Sequence, residues 1–115
     1  MGKRLSTLES SNGFSSYKGE TSGLRMTKDG FGKITYYRGK VRSYTGNWKN
    51  NKYHGIGVLV KIDGSVYEGN FDEGKAVGTG KWTLASGTVI EGEFSDDRPH
   101  GFAIERVWNG QWYEG

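Results

Sequence analysis

The sequence has no cysteine, one proline, two histidines and no long apolar run. Without cysteine, disulfides and thiolate metal sites are excluded, and a cytoplasmic setting is the natural expectation. No apolar stretch approaches the roughly 18 residues of a membrane-spanning helix. The first residues lack the apolar run of a secretory signal. Hydrophobic residues make up 33 %, below the roughly 45–50 % usual once glycine is counted, so a thick two-layer core is not expected. No glycine-rich phosphate loop, serine elbow or paired-histidine metal motif is present. The two histidines, His54 and His100, are 46 residues apart at one position of a repeat. A metal pair is the sharp reading of them, and a turn residue bonded to local backbone is the stronger one. Asp72-Glu73, Asp96-Asp97 and Glu91-x-Glu93 read as solvated loop carboxylates. The chain is therefore expected to be no enzyme and to need no cofactor or metal.

Glycine and aromatics are what the chain does have. There are 20 glycines in 115 residues, and aromatics reach 14 %, which excludes a disordered linker. The glycines keep a register. YTGNW (Tyr44–Trp48), YEGNF (Tyr67–Phe71), IEGEF (Ile90–Phe94) and the final YEG (Tyr113–Gly115) follow one another at 23 residues. Further along each unit stand Gly55, Gly78 and Gly101, then Gly57 and Gly80 with Ala103 in the third row. Asp63-Gly64, Ser86-Gly87 and Asn109-Gly110 close the units. Twelve of the thirteen glycines after residue 43 fall on four repeat positions. Composition bias alone would scatter them, so a repeat architecture follows.

One unit reads as a β-hairpin. Asp-Gly, Ser-Gly and Asn-Gly doublets between strand-like residues suit two-residue turns. Strands are expected over Gly57–Ile62 and Ser65–Phe71, Gly80–Ala85 and Thr88–Phe94, and Ala103–Trp108 and from Gln111. Polar loops such as Asp72–Val77 would join the hairpins. On a strand Tyr67, Gly69 and Phe71 share one face. The glycine leaves a hollow that an aromatic from the neighbouring strand can cover. A strict two-residue turn would put Ile56, Val58 and Val60 on that face. In the second unit Trp82 and Leu84 have the other parity, so a bulge or three-residue turn is preferred.

YTGNWKNNKYHGIGVLVKIDG and YEGNFDEGKAVGTGKWTLASG resemble MORN repeats, the membrane occupation and recognition nexus. That pattern runs Tyr-x-Gly-x-Trp, His-Gly-x-Gly, Asp-Gly. The first unit matches throughout, with His54-Gly55-Ile56-Gly57 and Asp63-Gly64. The second has Val77 and Ser86 in place of the histidine and aspartate. The third has Ile90, Ala103 and Asn109 at varied positions. Upstream, Tyr17, Gly19, Thr21, Gly30-Phe31-Gly32 and Arg38-Gly39 form a degenerate unit with small insertions. The expected organisation is a flexible tail over 1–16, a degenerate capping repeat over 17–43, and repeats over 44–66, 67–89 and 90–112. A further unit begins at 113–115. The resemblance implies an all-β, single-layer antiparallel meander of stacked β-hairpins, elongated and twisted.

It also implies a scaffold that holds a protein partner, a helix or an extended peptide, in an aromatic-lined groove. The groove candidates are Tyr44, Trp48, Tyr67, Phe71, Phe94 and Tyr113, whose competing role is to pack on one another as a thin core. The alternative is docking on acidic phospholipids. Residues 1–43 hold nine Lys/Arg against three Asp/Glu, and residues 44–115 hold seven against ten. Lys33, Arg38, Lys40 and Arg42, interleaved with Tyr36 and Tyr37, would supply the cations for an anionic bilayer. Nucleic acid is a weak reading without a recognised nucleic-acid fold. Sugar stacking on Trp82, Trp108, Trp112 and Tyr113 fits the glycine register less well. Met1-Gly2 with Ser6 fits the N-myristoylation template, which Lys3 after the glycine opposes. An unpaired last strand would invite homo-oligomerisation through the C-terminal edge. The expected location is cytoplasmic, peripheral to a membrane or the cytoskeleton.

Overall fold

Alternating aromatic, glycine and polar residues build strands, and turn residues recur often enough to reverse the chain nine times. The protein is described by a computed structural model. It covers residues 3–11, 14–23, 27–108 and 112–114, with side chains over 14–23, 27–99, 101 and 104–106. The strands are β1 (Lys3–Ser11), β2 (Ser15–Ser22), β3 (Thr27–Tyr36), β4 (Val41–Lys49) and β5 (Lys52–Lys61). They continue with β6 (Val66–Asp72), β7 (Lys75–Thr83), β8 (Val89–Ser95), β9 (Arg98–Trp108) and β10 (Trp112–Glu114). All ten lie in one sheet in chain order, and every neighbouring pair is antiparallel. The molecule measures 50 × 27 × 19 Å. It is the expected single-layer meander, and no helix occurs among the described residues. Part of the stretch expected as a tail, Lys3–Ser11, pairs with β2 as β1, extending the ladder from the open edge of that strand.

Turn chemistry at the two ends of the sheet departs from the two-residue reading of the glycine doublets and bears out the preferred longer turn. The two-residue turns are Asn50-Asn51, Glu73-Gly74 and Asp96-Asp97, with φ positive at both central residues of each. They are closed by the pairs Lys49–Lys52, Asp72–Lys75 and Ser95–Arg98, and this is type I′ geometry. The stretch Asp72–Val77, expected as a polar loop, is thus mostly strand. The Asp-Gly doublet sits instead in a three-residue turn. Lys61 N–H donates to the Ser65 carbonyl (2.9 Å) and Gly64 N–H to the Lys61 carbonyl (3.0 Å). Asp63 Oδ1 accepts from Ser65 N–H (2.8 Å) and Oγ (2.7 Å), and Gly64 takes φ 92°. Leu84 to Thr88 repeats this pattern. The extra residue settles the parity. Leu59 pairs with Tyr67 and Trp82 with Ile90, so Leu59 and Trp82 lie on the aromatic face, as the preferred three-residue turn required. The equivalent doublet Asn109-Gly110 lies outside the described residues.

The core is one ring thick. Each unit's tyrosine lies back over the glycine two residues ahead on its own strand and over the glycine paired with it. Gly46 pairs with Gly57, Gly69 with Gly80 and Gly19 with Gly32. A Cβ on Gly57 would meet Tyr44 Cε1 at 2.5 Å, and one on Gly80 would meet Tyr67 Cζ at 2.5 Å. The hollow is therefore filled by the same strand's tyrosine. That leaves no room for an aromatic from the neighbouring strand, and the ring is held there by its hydroxyl: Tyr17 Oη donates to Glu20 O (2.7 Å) and Tyr44 Oη to Asn47 O (2.8 Å).

The rings then meet edge to face in a zigzag. Tyr17 touches Trp48, Trp48 touches Tyr44, Tyr44 touches Phe71, Phe71 touches Tyr67, and Tyr67 touches Phe94. Centroids are 4.9–5.4 Å apart with interplanar angles of 76–90°. Such geometry contributes about 0.5–1.5 kcal/mol per pair beyond area burial. Trp48 Nε1 donates to Gly32 O (3.0 Å), tying one unit to the preceding one. Gly57→Ala is expected to lower unfolding stability by about 1–3 kcal/mol, the usual cost of overpacking. In a Tyr44→Ala background, where the ring is gone, the same change should cost far less. Equal costs in both backgrounds, read by urea titration, would contradict the ring-over-glycine account.

Candidate functional site

The aromatic face carries both the core and a groove. Tyr44, Trp48, Tyr67, Phe71 and Phe94 are 0 %, 4 %, 5 %, 2 % and 4 % exposed. These five groove candidates are interior residues, and they come together by packing on one another. The side chain of Tyr113 lies outside the described residues. What a partner can reach is the layer above them, made of the partly buried Tyr36, Tyr53, Leu59, Trp82 and Ile90.

One repeat position decides where that layer is open. The residue two beyond the type I′ turn faces the tyrosine of its hairpin in the first two units, whereas the third has Pro99 there and Ile90 in place of the tyrosine. In the first unit it is Tyr53, stacked on Tyr44 at 4.0 Å and 13°. Tyr53 also shares a hydrogen bond with the Tyr36 hydroxyl (2.7 Å). Upstream, Lys28 stretches its ammonium over Tyr17, 5.2 Å from the ring centroid. In the second unit the position holds Ala76, which is too small to fill the space that Tyr53 fills in the first. The result is a groove of about 320 Å³. Tyr67, Phe71, Ala76 and Phe94 form its floor. Tyr53, Leu59 and Trp82 stand at its walls, Lys40, Val41 and Lys61 at one end, and Gly74 and Asp97 at the other. Sequence reasoning missed the walls. The signal was present, since Leu59 and Trp82 occupy one position at the 23-residue step, and their parity became legible once the turn length was known.

Apolar surroundings push the phenols up. The hydroxyls of Tyr17 and Tyr44 are raised to about 12, mainly by burial. Burial and the Tyr36 hydroxyl drive Tyr53 higher still, and burial also raises Tyr67. At the groove's far end Asp97 Oδ1 accepts from Ala76 N–H (2.7 Å). Asp96 beside it pairs with Lys75 (2.7 Å), which holds the carboxyl below its ordinary range and raises the ammonium.

The basic stretch is divided between surfaces. Lys33 pairs with Lys18 and Thr45 on the outer face, whereas Lys40 lines the aromatic groove. Arg38 lies over the Phe14 ring at 4.9 Å. Arg38 and Arg42 share a shallow depression with Tyr37 and Ile62. His54 Nδ1 is 3.6 Å from Asp72 Oδ1, a local turn contact, and the His100 side chain lies outside the described residues. No group of three metal-binding side chains gathers among the described residues.

The family model of the MORN repeat matches residues 44–66, 67–89 and 91–106, more than half of the chain. The comparison with curated proteins returned no match.

Two outcomes follow. Trp48→Ala and Phe71→Ala should each destabilise by about 3–5 kcal/mol, since each removes a core ring and leaves a cavity; loss of binding without loss of melting temperature would show that these rings are surface anchors. Stability should also fall as pH rises from 10 towards 12. Below pH 10 the tyrosines are protonated in both states, and above it the unfolded phenols ionise first while the folded ones, raised to about 12, hold their protons. Tyrosinate absorbance followed alongside circular dichroism checks this, and early ionisation of the buried tyrosines with the fold intact would contradict it.

Proposed function

The chain belongs to the MORN repeat family, and on that premise we propose that it is a non-catalytic scaffold holding a protein partner, a helix or an extended peptide, in the aromatic groove. The observation that carries this reading is the opening above Tyr67 made by Ala76, walled by Tyr53, Leu59 and Trp82. It is apolar, concave and bounded by a few polar groups, the usual character of a recognition site. Aromatic walls bring large contact area at little cost in side-chain entropy. The tyrosines that could have served as acids or bases are raised by burial and bonded to backbone carbonyls, an arrangement suited to packing.

A second reading, docking on acidic phospholipids, is favoured by one depression. Arg38 and Arg42 stand there beside Tyr37 and Ile62, which are 59 % and 56 % exposed. Two cations next to two exposed apolar side chains suit a headgroup interface. In this reading Lys33 and Lys40 face elsewhere and play little part.

The groove can be closed without damaging the array. Ala76→Tyr recreates the first unit's Tyr53 and should stack on Tyr67, leaving melting temperature equal or higher. Peptides selected on the wild-type protein from a displayed random library should lose at least about tenfold in affinity, near 1.4 kcal/mol, for this variant. Unchanged affinity would remove the groove from consideration. Pelleting with phosphatidylserine vesicles at about 0.15 M salt, abolished by Arg38→Glu with Arg42→Glu, would instead support the membrane reading.

A further inference from the structure

We infer that the groove takes an acidic, apolar-anchored peptide segment, its carboxylate side chain seated at the Lys40–Lys61 end. This rests on the groove being the binding site. The two lysines come from neighbouring strand ends. Val41 pairs with Lys61, and Ile62 N–H donates to the Lys40 carbonyl (3.0 Å), so two ammonium groups border one end of an apolar trough. Neither makes an ion pair among the described residues. Lys61 rests on the Trp82 ring, 5.5 Å from its centroid, which fixes the cation at the wall. Lys40 is exposed.

The carboxylate nearest in sequence, Asp63, does not neutralise them. Its Oδ1 is used by Ser65 N–H and Oγ within the turn, and Lys61 adds only a smaller share to holding that carboxyl below its ordinary range. The opposite end of the groove has the other sign. Asp97 lies there, with Oδ1 bonded to Ala76 N–H. A ligand lying along the strands therefore meets two positive charges at one end, a ring-lined floor in the middle and a carboxylate at the far end. Charges bordering an apolar concavity act on a ligand more strongly than the same charges on an open surface. A basic segment would set its charge against Lys40 and Lys61, and like-charge juxtaposition works against wrong partners at interfaces. A bilayer surface presents headgroups in a plane with its acyl chains buried beneath them, whereas a peptide can bring an apolar anchor and a carboxylate into the trough together, which is why the peptide is preferred to a lipid headgroup.

The test uses the full chain and a pooled library of synthetic peptides, each with a Leu, Phe or Trp anchor. Three versions differ only in flanking residues: Asp/Glu, Ser, or Lys/Arg. At about 0.15 M salt, enrichment of the acidic over the basic version should be about tenfold or more, the scale of one charge-assisted contact. Lys40→Glu should erase that ratio, and Lys40→Glu with Lys61→Glu should reverse it. Lys33→Glu, on the outer face, should leave it unchanged. Ala76→Tyr should abolish binding of all three versions. Equal enrichment of acidic and basic peptides, lost in Ala76→Tyr, would overturn the charge assignment and leave the groove standing. Binding indifferent to Ala76→Tyr would overturn both. Displacement of the acidic peptides by phosphatidylserine vesicles, with no such effect from phosphatidylcholine vesicles, would mean that the lysine end recognises a lipid headgroup and would overturn the peptide assignment.

Discussion

A tyrosine ring laid over a pair of cross-strand glycines is the contact on which this sheet depends. A single-layer sheet has no second layer to bury its apolar face, so the rings must lie flat against backbone. That requires two adjacent positions without a Cβ, and Gly46–Gly57, Gly69–Gly80 and Gly19–Gly32 supply them. The ring gains contact with the strands, and its hydroxyl ends on a backbone carbonyl three residues ahead, so the phenol is not buried without a partner. Because each tyrosine also meets the Trp or Phe of the next unit, one hairpin has little stability alone and the array gains it cumulatively.

The same geometry separates what must be kept from what can vary. The Tyr, Gly and Trp/Phe positions hold the frame. The position over each tyrosine is held by Lys28, Tyr53 or Ala76 without disturbing it. A lysine covers the ring with a cation, a tyrosine seals it with a second ring, and an alanine leaves a groove above a ring that is itself still buried. A recognition groove thus arises from a single small residue in an otherwise repeated layer. Its location in the second unit follows from residue size, and its polarity follows from lysines at the ends of strands.

The hairpins are also stitched to one another at their turns. Asn51 N–H donates to Lys28 O, Gly74 N–H to Tyr53 O and Asp97 N–H to Ala76 O, at 3.0–3.1 Å. Asn51 and Asp97 return a side-chain oxygen to the N–H of Lys28 and Ala76. Lys52–Glu73 and Lys75–Asp96 add exposed ion pairs along the same edge, which set register more than stability, since exposed pairs contribute little. These links join successive units at the end where type I′ turns hold both central residues at positive φ.

The 23-residue step, the hairpin unit, the aromatic face and the antiparallel meander were all legible in the sequence, because glycine and aromatic positions encode strand parity directly. One local feature was legible in part and one was not. Asp63-Gly64 reads as a two-residue turn on composition, while the parity of Trp82 and Leu84 favours a longer one, and the structure has the longer turn, with Asp63 capping Ser65 and Gly64 at its third position. The tyrosines read equally well as partner anchors or as core, because a ring's exposure depends on what lies above it. Residue type and spacing therefore determined the architecture of this protein by themselves. Only the tertiary structure decided that these rings are interior and where the groove opens, since burial comes from packing between units and the groove from a small Ala76 where the first unit has Tyr53.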